Sequence, residues 1–355
     1  MDKFRIDSHK LMYHVDRLKD WLDAKPVYPV YMEISPSGSC NHRCLYCALD
    51  FLEYRPRFLD TKVLKTRLSE MAGLGVKSIM YAGEGEPFLH KDMPGIIRHT
   101  AKSGIDTALT SNGVLFGPET ADRTLEFITW IKISINAATP KTYARIHQTA
   151  PSDLARVFKN MSYAASLRRR KKYPCTLGMQ VVLLPENHSE IALLARKAKD
   201  IGMDYLVVKP YSQHPLSKTT RYKNIKYDKY LSLAEKLSRF NDKNFNLVFR
   251  VRAMEKWDQA RHTYKHCLGL TFWAYIDAGG NVWACSIYLG DERFRLGNIY
   301  DQTFRRIWES PKRKALVRWA AQNLDTGKCR VNCRMDEINR YLWELKHPPE
   351  HVNFI

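Results

Sequence analysis

The sequence is short of acids and has no long apolar runs. Its 355 residues include 37 acidic side chains against 57 basic ones, a formal net charge of +20. No stretch of about 18 apolar residues occurs, so no membrane-spanning helix is expected. The first residues, Met1-Asp2-Lys3-Phe4-Arg5-Ile6-Asp7, lack the apolar stretch of a signal peptide, and the expected location is the cytoplasm. Only eight cysteines occur. In a reducing compartment they argue for metal sites rather than disulfides. The excess of cations points to acidic partners: a phosphorylated or carboxylated substrate, an acidic electron donor, or nucleic acid. Part of that excess is ordinary surface, for Arg168-Arg169-Arg170-Lys171-Lys172 reads as the exposed end of a helix.

What is present is organised around Ser39-Cys40-Asn41-His42-Arg43-Cys44-Leu45-Tyr46-Cys47. Three cysteines at C-x3-C-x2-C follow an apolar, strand-like run, Val30 to Ile34. Such a loop can turn three thiolates toward one iron–sulfur cube and leave one iron without a protein ligand. A zinc knuckle and unligated core thiols are the alternatives, although zinc would prefer a paired C-x2-C elsewhere to complete its tetrahedron.

Strand and helix patterns then alternate. After a helical lead-in over residues 1–26 (Leu11, Val15, Leu18 and Leu22 at helical spacing), strands are expected at Val30–Ser35, Lys77–Ala82, Asp106–Thr110, Trp130–Ile135, Thr176–Leu183 and Asp204–Lys209. Helices are expected between them and again over 227–243, with a last strand at Phe245–Val251. Consecutive βα units imply a parallel sheet whose strand ends carry the function. A domain boundary is expected near residue 250.

The strand ends carry polar motifs. Gly83-Glu84-Gly85-Glu86-Pro87 lets backbone approach a ligand, and Glu86 could accept from an ammonium; a plain Gly/Pro turn is the alternative. Thr110-Ser111-Asn112-Gly113 is either a ligand turn or an ordinary Asn-Gly turn. Lys209-Pro210-Tyr211-Ser212-Gln213-His214 is a substrate-site candidate or a solvated loop. Further on, Cys267 and Cys285 flank a hairpin with a Gly279-Gly280 turn, and Cys329 and Cys333 form C-x3-C. These four thiols make a closed site for zinc or a fully ligated cluster, and spacing does not choose between them. Cys175 is left over, as a buried structural thiol.

C-x3-C-x-(aromatic)-C, with Tyr46 as the aromatic, resembles the radical S-adenosylmethionine (SAM) enzymes. The resemblance implies that Cys40, Cys44 and Cys47 hold a [4Fe–4S] cluster whose open iron is chelated by SAM. It implies a partial (β/α)6 TIM barrel with a small C-terminal α+β domain. It places Gly85 and Glu86 at SAM's amino group and Asn112 beside SAM. Ser134 and Asn136 would meet its ribose and carboxylate, and Val182 its adenine; the role of Glu84 stays open. The later pattern, with Leu296-Gly297-Asn298-Ile299 and Ile307-Trp308, resembles the SPASM/twitch extension. Its full form uses seven cysteines where this later set has only four, so the resemblance is to the twitch form. Cys267, Cys285, Cys329 and Cys333 would then hold one auxiliary [4Fe–4S] cluster. Reduced flavodoxin or ferredoxin is the electron donor such an enzyme needs.

The expected substrate is a small anionic sugar- or nucleoside-like molecule, oxidised or decarboxylated, with Lys209, Tyr211 and His214 as the residues meeting it. The stretch Cys40–Asp50 also resembles sugar-modifying radical SAM enzymes of the cytosylglucuronate decarboxylase type. Peptide modification is the alternative, without a visible peptide-recognition domain. RNA modification has charge in its favour but no nucleic-acid module. A non-catalytic iron–sulfur or zinc scaffold would not cleave SAM.

Overall fold

The computed structural model describes residues 4–6, 8–259 and 262–354. One sheet of ten strands organises them. In chain order the strands are β1 (Tyr31–Ile34), β2 (Ser78–Tyr81), β3 (Asp106–Ser111), β4 (Trp130–Ser134), β5 (Thr176–Val182), β6 (Tyr205–Lys209), β7 (Asn246–Phe249), β8 (Trp273–Ile276), β9 (Asn281–Trp283) and β10 (Arg295–Asn298). Strands β1 to β7 lie side by side in sequence order, each parallel to the next. Helices link them, so the parallel α/β sheet expected from the alternating pattern is present, and with it the partial barrel that the resemblance implies, with β7 as a seventh parallel strand.

Alternation along each strand divides the residues between two faces. Met32, Ile34, Ile79, Tyr81, Leu109, Ile131, Ile133, Leu177, Met179 and Leu206 join the main core with the helices. The other face turns into the barrel and is mixed: Glu33 on β1, Thr110 on β3, Lys132 and Ser134 on β4, Gln180 on β5, Lys209 on β6. Helix Thr61–Gly73 shows how the outer layer is fixed. Asp60 caps it by accepting from Val63 N–H at 2.8 Å, and Leu64, Leu68 and Met71 are fully buried. Each such side chain contributes about 1.5–3 kcal/mol.

The sheet does not stop near residue 250. β8 pairs parallel with β1 (Tyr31 opposite Trp273, Ile34 opposite Ile276), and β9 and β10 continue antiparallel beyond it. The C-terminal hairpin is therefore an extension of the barrel wall. The helical lead-in reduces to a 3-10 turn, Leu11–Tyr13, and a helix, Val15–Leu22, with residues 1–3 and 7 outside the described residues. Leu11 and Leu18 pack with Val27, Phe272 and Leu342, whereas Val15 and Leu22 remain exposed. The helix expected over 227–243 is only a 3-10 turn at Asp228–Tyr230 and a short helix, Leu233–Ser238. Asn241 and Asp242 end it, their side chains accepting from the N–H groups of Leu247, Asn244 and Phe245.

Candidate functional site

The loop after β1 carries Cys40, Cys44 and Cys47, and the ends of four other strands or their connections grip it. Ser39 C=O accepts from Glu86 N–H at 2.8 Å. Gly85 is required here, because a Cβ would stand 2.1 Å from that carbonyl oxygen. Asn112 Nδ2 donates to Asn41 Oδ1 at 2.6 Å. The N–H groups of Arg43 and Leu45 donate to the carbonyls of His147 and Ile146, at the end of helix Pro140–His147. Asp50, just past the thiols, accepts from Ser217 Oγ, Lys218 N–H and Thr219 N–H in the loop after β6.

The donor set fits an iron–sulfur cluster. Burial pushes the Cys40 thiol up to about 12, and the neighbouring Glu86 and Cys47 add to it. Burial also raises Cys44, with Cys47 and Cys40 adding to it. Three half-buried thiols that oppose one another's ionisation suit ligands gathered around positive charge. No further cysteine joins them among the described residues; Cys175 is buried in the core at the start of β5. Cys267, Cys285, Cys329 and Cys333 form the second set, and burial pushes Cys333 well above its ordinary value, with the other three thiols contributing. Donors surround these sulfurs: Asn339 Nδ2 is 3.5 Å from Cys267 Sγ, Ile287 N–H donates to Cys285 Sγ at 3.4 Å, and Tyr288 Oη is 3.6 Å from Cys329 Sγ. Four thiolates with outer donors suit a closed, fully ligated cluster.

The residues that the resemblance assigned to SAM are largely engaged within the protein. Glu86 is buried; Oε1 accepts from Ser111 Oγ at 2.7 Å and Phe88 N–H at 3.2 Å, and Oε2 from Asn112 N–H at 2.8 Å. A carboxylate has about four acceptor sites, so one direction stays open to an ammonium. Glu86→Gln is therefore expected to weaken SAM binding about tenfold and to lower thermal stability together, since a charge-assisted hydrogen bond is worth ~1.5–3 kcal/mol. Equilibrium dialysis and a melting curve on the same sample check this; unchanged SAM affinity would leave Glu86 as a brace between β2 and β3 only. Asn112 likewise braces the turn, its Oδ1 accepting from Val114 N–H. Asn136 Oδ1 accepts from Val182 N–H at 2.6 Å, and its own N–H points to His147 Nε2 at 3.2 Å. Val182 packs with Tyr211, Tyr222 and Ile146 beside Leu45 and Tyr46. Ser134 is half-buried, in register with Gln180. Glu84 turns away from this cluster to Arg57, at 2.9 Å, and burial with nearby Asp277 raises its carboxyl to about 7. It lines a cavity of ≈ 400 Å³ against β9 and the strand's flanking loops.

Two of the substrate candidates, His214 and Tyr211, are engaged within the protein. His214 is fully buried and stacked on Phe51; its Nδ1 accepts from Leu216 N–H at 3.1 Å, so Nε2 carries the proton and donates to Ser286 C=O at 3.2 Å. With both nitrogens engaged it ties the β6 loop to the C-terminal region. Tyr211 is buried among aromatics, its hydroxyl donating to Gln213 Oε1 at 2.9 Å. Lys209 faces inward at the end of β6, and the largest charges acting on it are all positive: Lys132, Arg250, Arg330 and Arg334. Arg330 anchors on Ser212, through Nε to Oγ at 3.1 Å, and Arg334 reaches Glu33 at 2.7 Å and Tyr31 Oη at 3.1 Å. Burial, then Arg334 and Arg250, lower the Lys132 ammonium to about 8. Lys132, Arg330, Arg334, Asp50 and His147 were missed in the sequence. Lys132 alone had a local signal, a lysine alternating with Ile131 and Ile133.

Comparison with known proteins agrees with this geometry. Residues 34–198 match the Radical SAM superfamily, and residues 267–334 match SPASM, an iron–sulfur cluster-binding domain. The GTP 3′,8-cyclase of Chlorobaculum tepidum is 26% identical over 198 residues, 54% of this chain and 57% of that protein. That of Haemophilus influenzae is 33% identical over 121 residues, 33% of this chain and 36% of that protein. This chain thus spans at most little more than half the length of these curated relatives. Among solved structures, Streptococcus suis SuiB bound to its precursor peptide SuiA superposes with a TM-score of 0.67 at 16% identity, over 86% of this chain and 71% of SuiB. The anSMEcpe structure with bound AdoMet and a peptide gives 0.58 at 18%, over 88% of each chain. At such identities these structures speak for the fold. Thiol sets, strand-end loops and family matches converge: the chain carries a Radical SAM domain over residues 34–198 and a SPASM domain over residues 267–334, and is an enzyme whose cofactors are SAM and two iron–sulfur clusters.

Proposed function

We propose that the enzyme acts on a small anionic sugar- or nucleoside-like molecule held inside the barrel, leading to its oxidation or decarboxylation. When bound, SAM and the first cluster supply a 5′-deoxyadenosyl radical, which removes a hydrogen atom from a C–H bond. The observation that carries the reading is the inward set of cations. Lys132, Lys209, Arg330 and Arg334 come from two barrel strands and from the C-x3-C segment, and Glu33 is the carboxylate paired with Arg334. Like charges gathered this way lower one another's proton affinity, and an anionic ligand offsets that cost. Arg330 and Arg334 each directly follow a thiol of the second set, so the auxiliary site and the cation set share one loop. GTP 3′,8-cyclases, by name, act on a nucleotide, which is consistent with an anionic, nucleoside-bearing substrate. Reduced flavodoxin or ferredoxin as donor and a cytoplasmic setting belong to the same proposal.

The test is deuterium transfer. Anaerobic holoenzyme is given SAM, reductant and site-deuterated nucleotides, nucleotide sugars or uronic acids. The expected result is deuterium in 5′-deoxyadenosine from one of these. Transfer from a peptide alone would overturn the reading in favour of peptide modification.

A further inference from the structure

We propose that His147 donates a hydrogen bond from Nδ1 to the sulfur of Cys44 and thereby sets how readily the first cluster accepts an electron. The sequence alone gave this histidine no role; it is the last residue of helix Pro140–His147, whose terminal carbonyls hold the cluster loop. Nδ1 lies 3.3 Å from Cys44 Sγ. On the other side of the ring, Asn136 backbone N–H points to Nε2 at 3.2 Å. A backbone N–H can only donate, so Nε2 accepts, and the single proton of a neutral imidazole sits on Nδ1, facing sulfur. The ring has little freedom to turn: Tyr143 stacks on it at 4.2 Å, and Tyr46 and His42 meet it edge-on at 5.8 and 5.3 Å. The residue is fully buried.

His42, Cys44 and His147 bring ligand atoms within 4.8 Å of one another, which by itself could suggest a separate metal site. Cys44, however, belongs to the C-x3-C-x2-C set, and Nε2 of His147 is occupied by the Asn136 N–H. The ring is thus an outer donor to a ligand. Hydrogen bonds to cluster sulfurs are among the factors that set reduction potential. An added electron increases negative charge on sulfur, so an N–H facing it stabilises the reduced form more than the oxidised form. Removing the donor should make the cluster harder to reduce.

The experiment is an EPR-monitored redox titration of anaerobically reconstituted holoenzyme, comparing wild type with His147→Phe, whose ring can keep the stack on Tyr143. The second cluster serves as internal reference. A more negative midpoint is expected for the first cluster alone, by about tenfold in the reduction equilibrium, or about 59 mV for one electron. A merely structural histidine would alter thermal stability and leave the midpoint in place; an unchanged midpoint with iron retained overturns the proposal. If His147→Phe does not hold the first cluster, wild-type enzyme with 15N-labelled histidine decides by pulsed EPR. A weak coupling to a non-ligating histidine nitrogen supports the hydrogen bond. No coupling, or one of the size of direct iron ligation, overturns it.

Discussion

Replacing Cys40, Cys44 and Cys47 with Ala should reduce the iron of the anaerobically reconstituted protein from about eight atoms to about four and abolish SAM cleavage. The expectation follows from the separation of the two thiol sets. The first occupies one loop after β1 and is anchored by Glu86 N–H, Asn112 and the end of helix Pro140–His147. The second is built by the flanks of the β8–β9 hairpin and the Cys329–Cys333 segment, with its own donors in Asn339, Ile287 and Tyr288. Losing the first should therefore leave the second loaded. Iron and sulfide analysis, with visible absorption, reads the count. Zinc in the second set of protein purified without oxygen would show that site to be a zinc site.

The second large effect belongs to the inward lysines. Lys132→Met and Lys209→Met should each weaken binding of an anionic ligand by tenfold or more, since a charge-assisted hydrogen bond contributes about 1.5–3 kcal/mol. Stability should move the other way. The folded chain holds the Lys132 ammonium at about 8, against an ordinary value of 10.5. The unfolded chain therefore binds more protons between those values, and the free protein should gain stability as pH rises through that window. Inorganic pyrophosphate, by neutralising the set, should raise the melting temperature most near about pH 7 and progressively less above the Lys132 pKa. In Lys132→Met the ligand-free protein should melt higher than wild type and the response to pyrophosphate should shrink. Equal pyrophosphate stabilisation of wild type and both variants would place the anion site elsewhere.

Local spacing revealed what is local. C-x3-C-x2-C is one loop, and its chemistry is contained in nine consecutive residues from Ser39 to Cys47. The alternation of apolar strands with helices likewise follows from period and breakers in short windows. What spacing could not express is which way a polar side chain turns. His214 lies in a polar stretch at a strand end, yet its partner is Ser286 C=O, far along the chain. Lys132 sits in Trp130-Ile131-Lys132-Ile133-Ser134, and strict alternation there does put the lysine on the face opposite the isoleucines. Reading that as a site required knowing that Arg330 and Arg334 come to the same interior. Helix Pro140–His147 has a start signal in Thr139-Pro140, yet at eight residues it is too short for its period to stand out, and His147 and the anchoring of the cluster loop go with it.

The pairing of β8 with β1 also bears on how the chain is made. β1 leaves the ribosome before the other nine strands of this sheet, and one of its two neighbours, β8, follows seven strands later. At ~5–20 residues per second, that edge stays unpaired for on the order of tens of seconds. Met32 and Ile34, which are fully buried in the finished protein, flank unpaired N–H and C=O groups throughout that interval. Nascent chains should therefore depend on chaperone protection until Trp273–Ile276 docks, and a long-range parallel pairing of this kind is slow to form. A truncation before β8 would make that transient edge permanent, turning a stage of synthesis into an aggregating product.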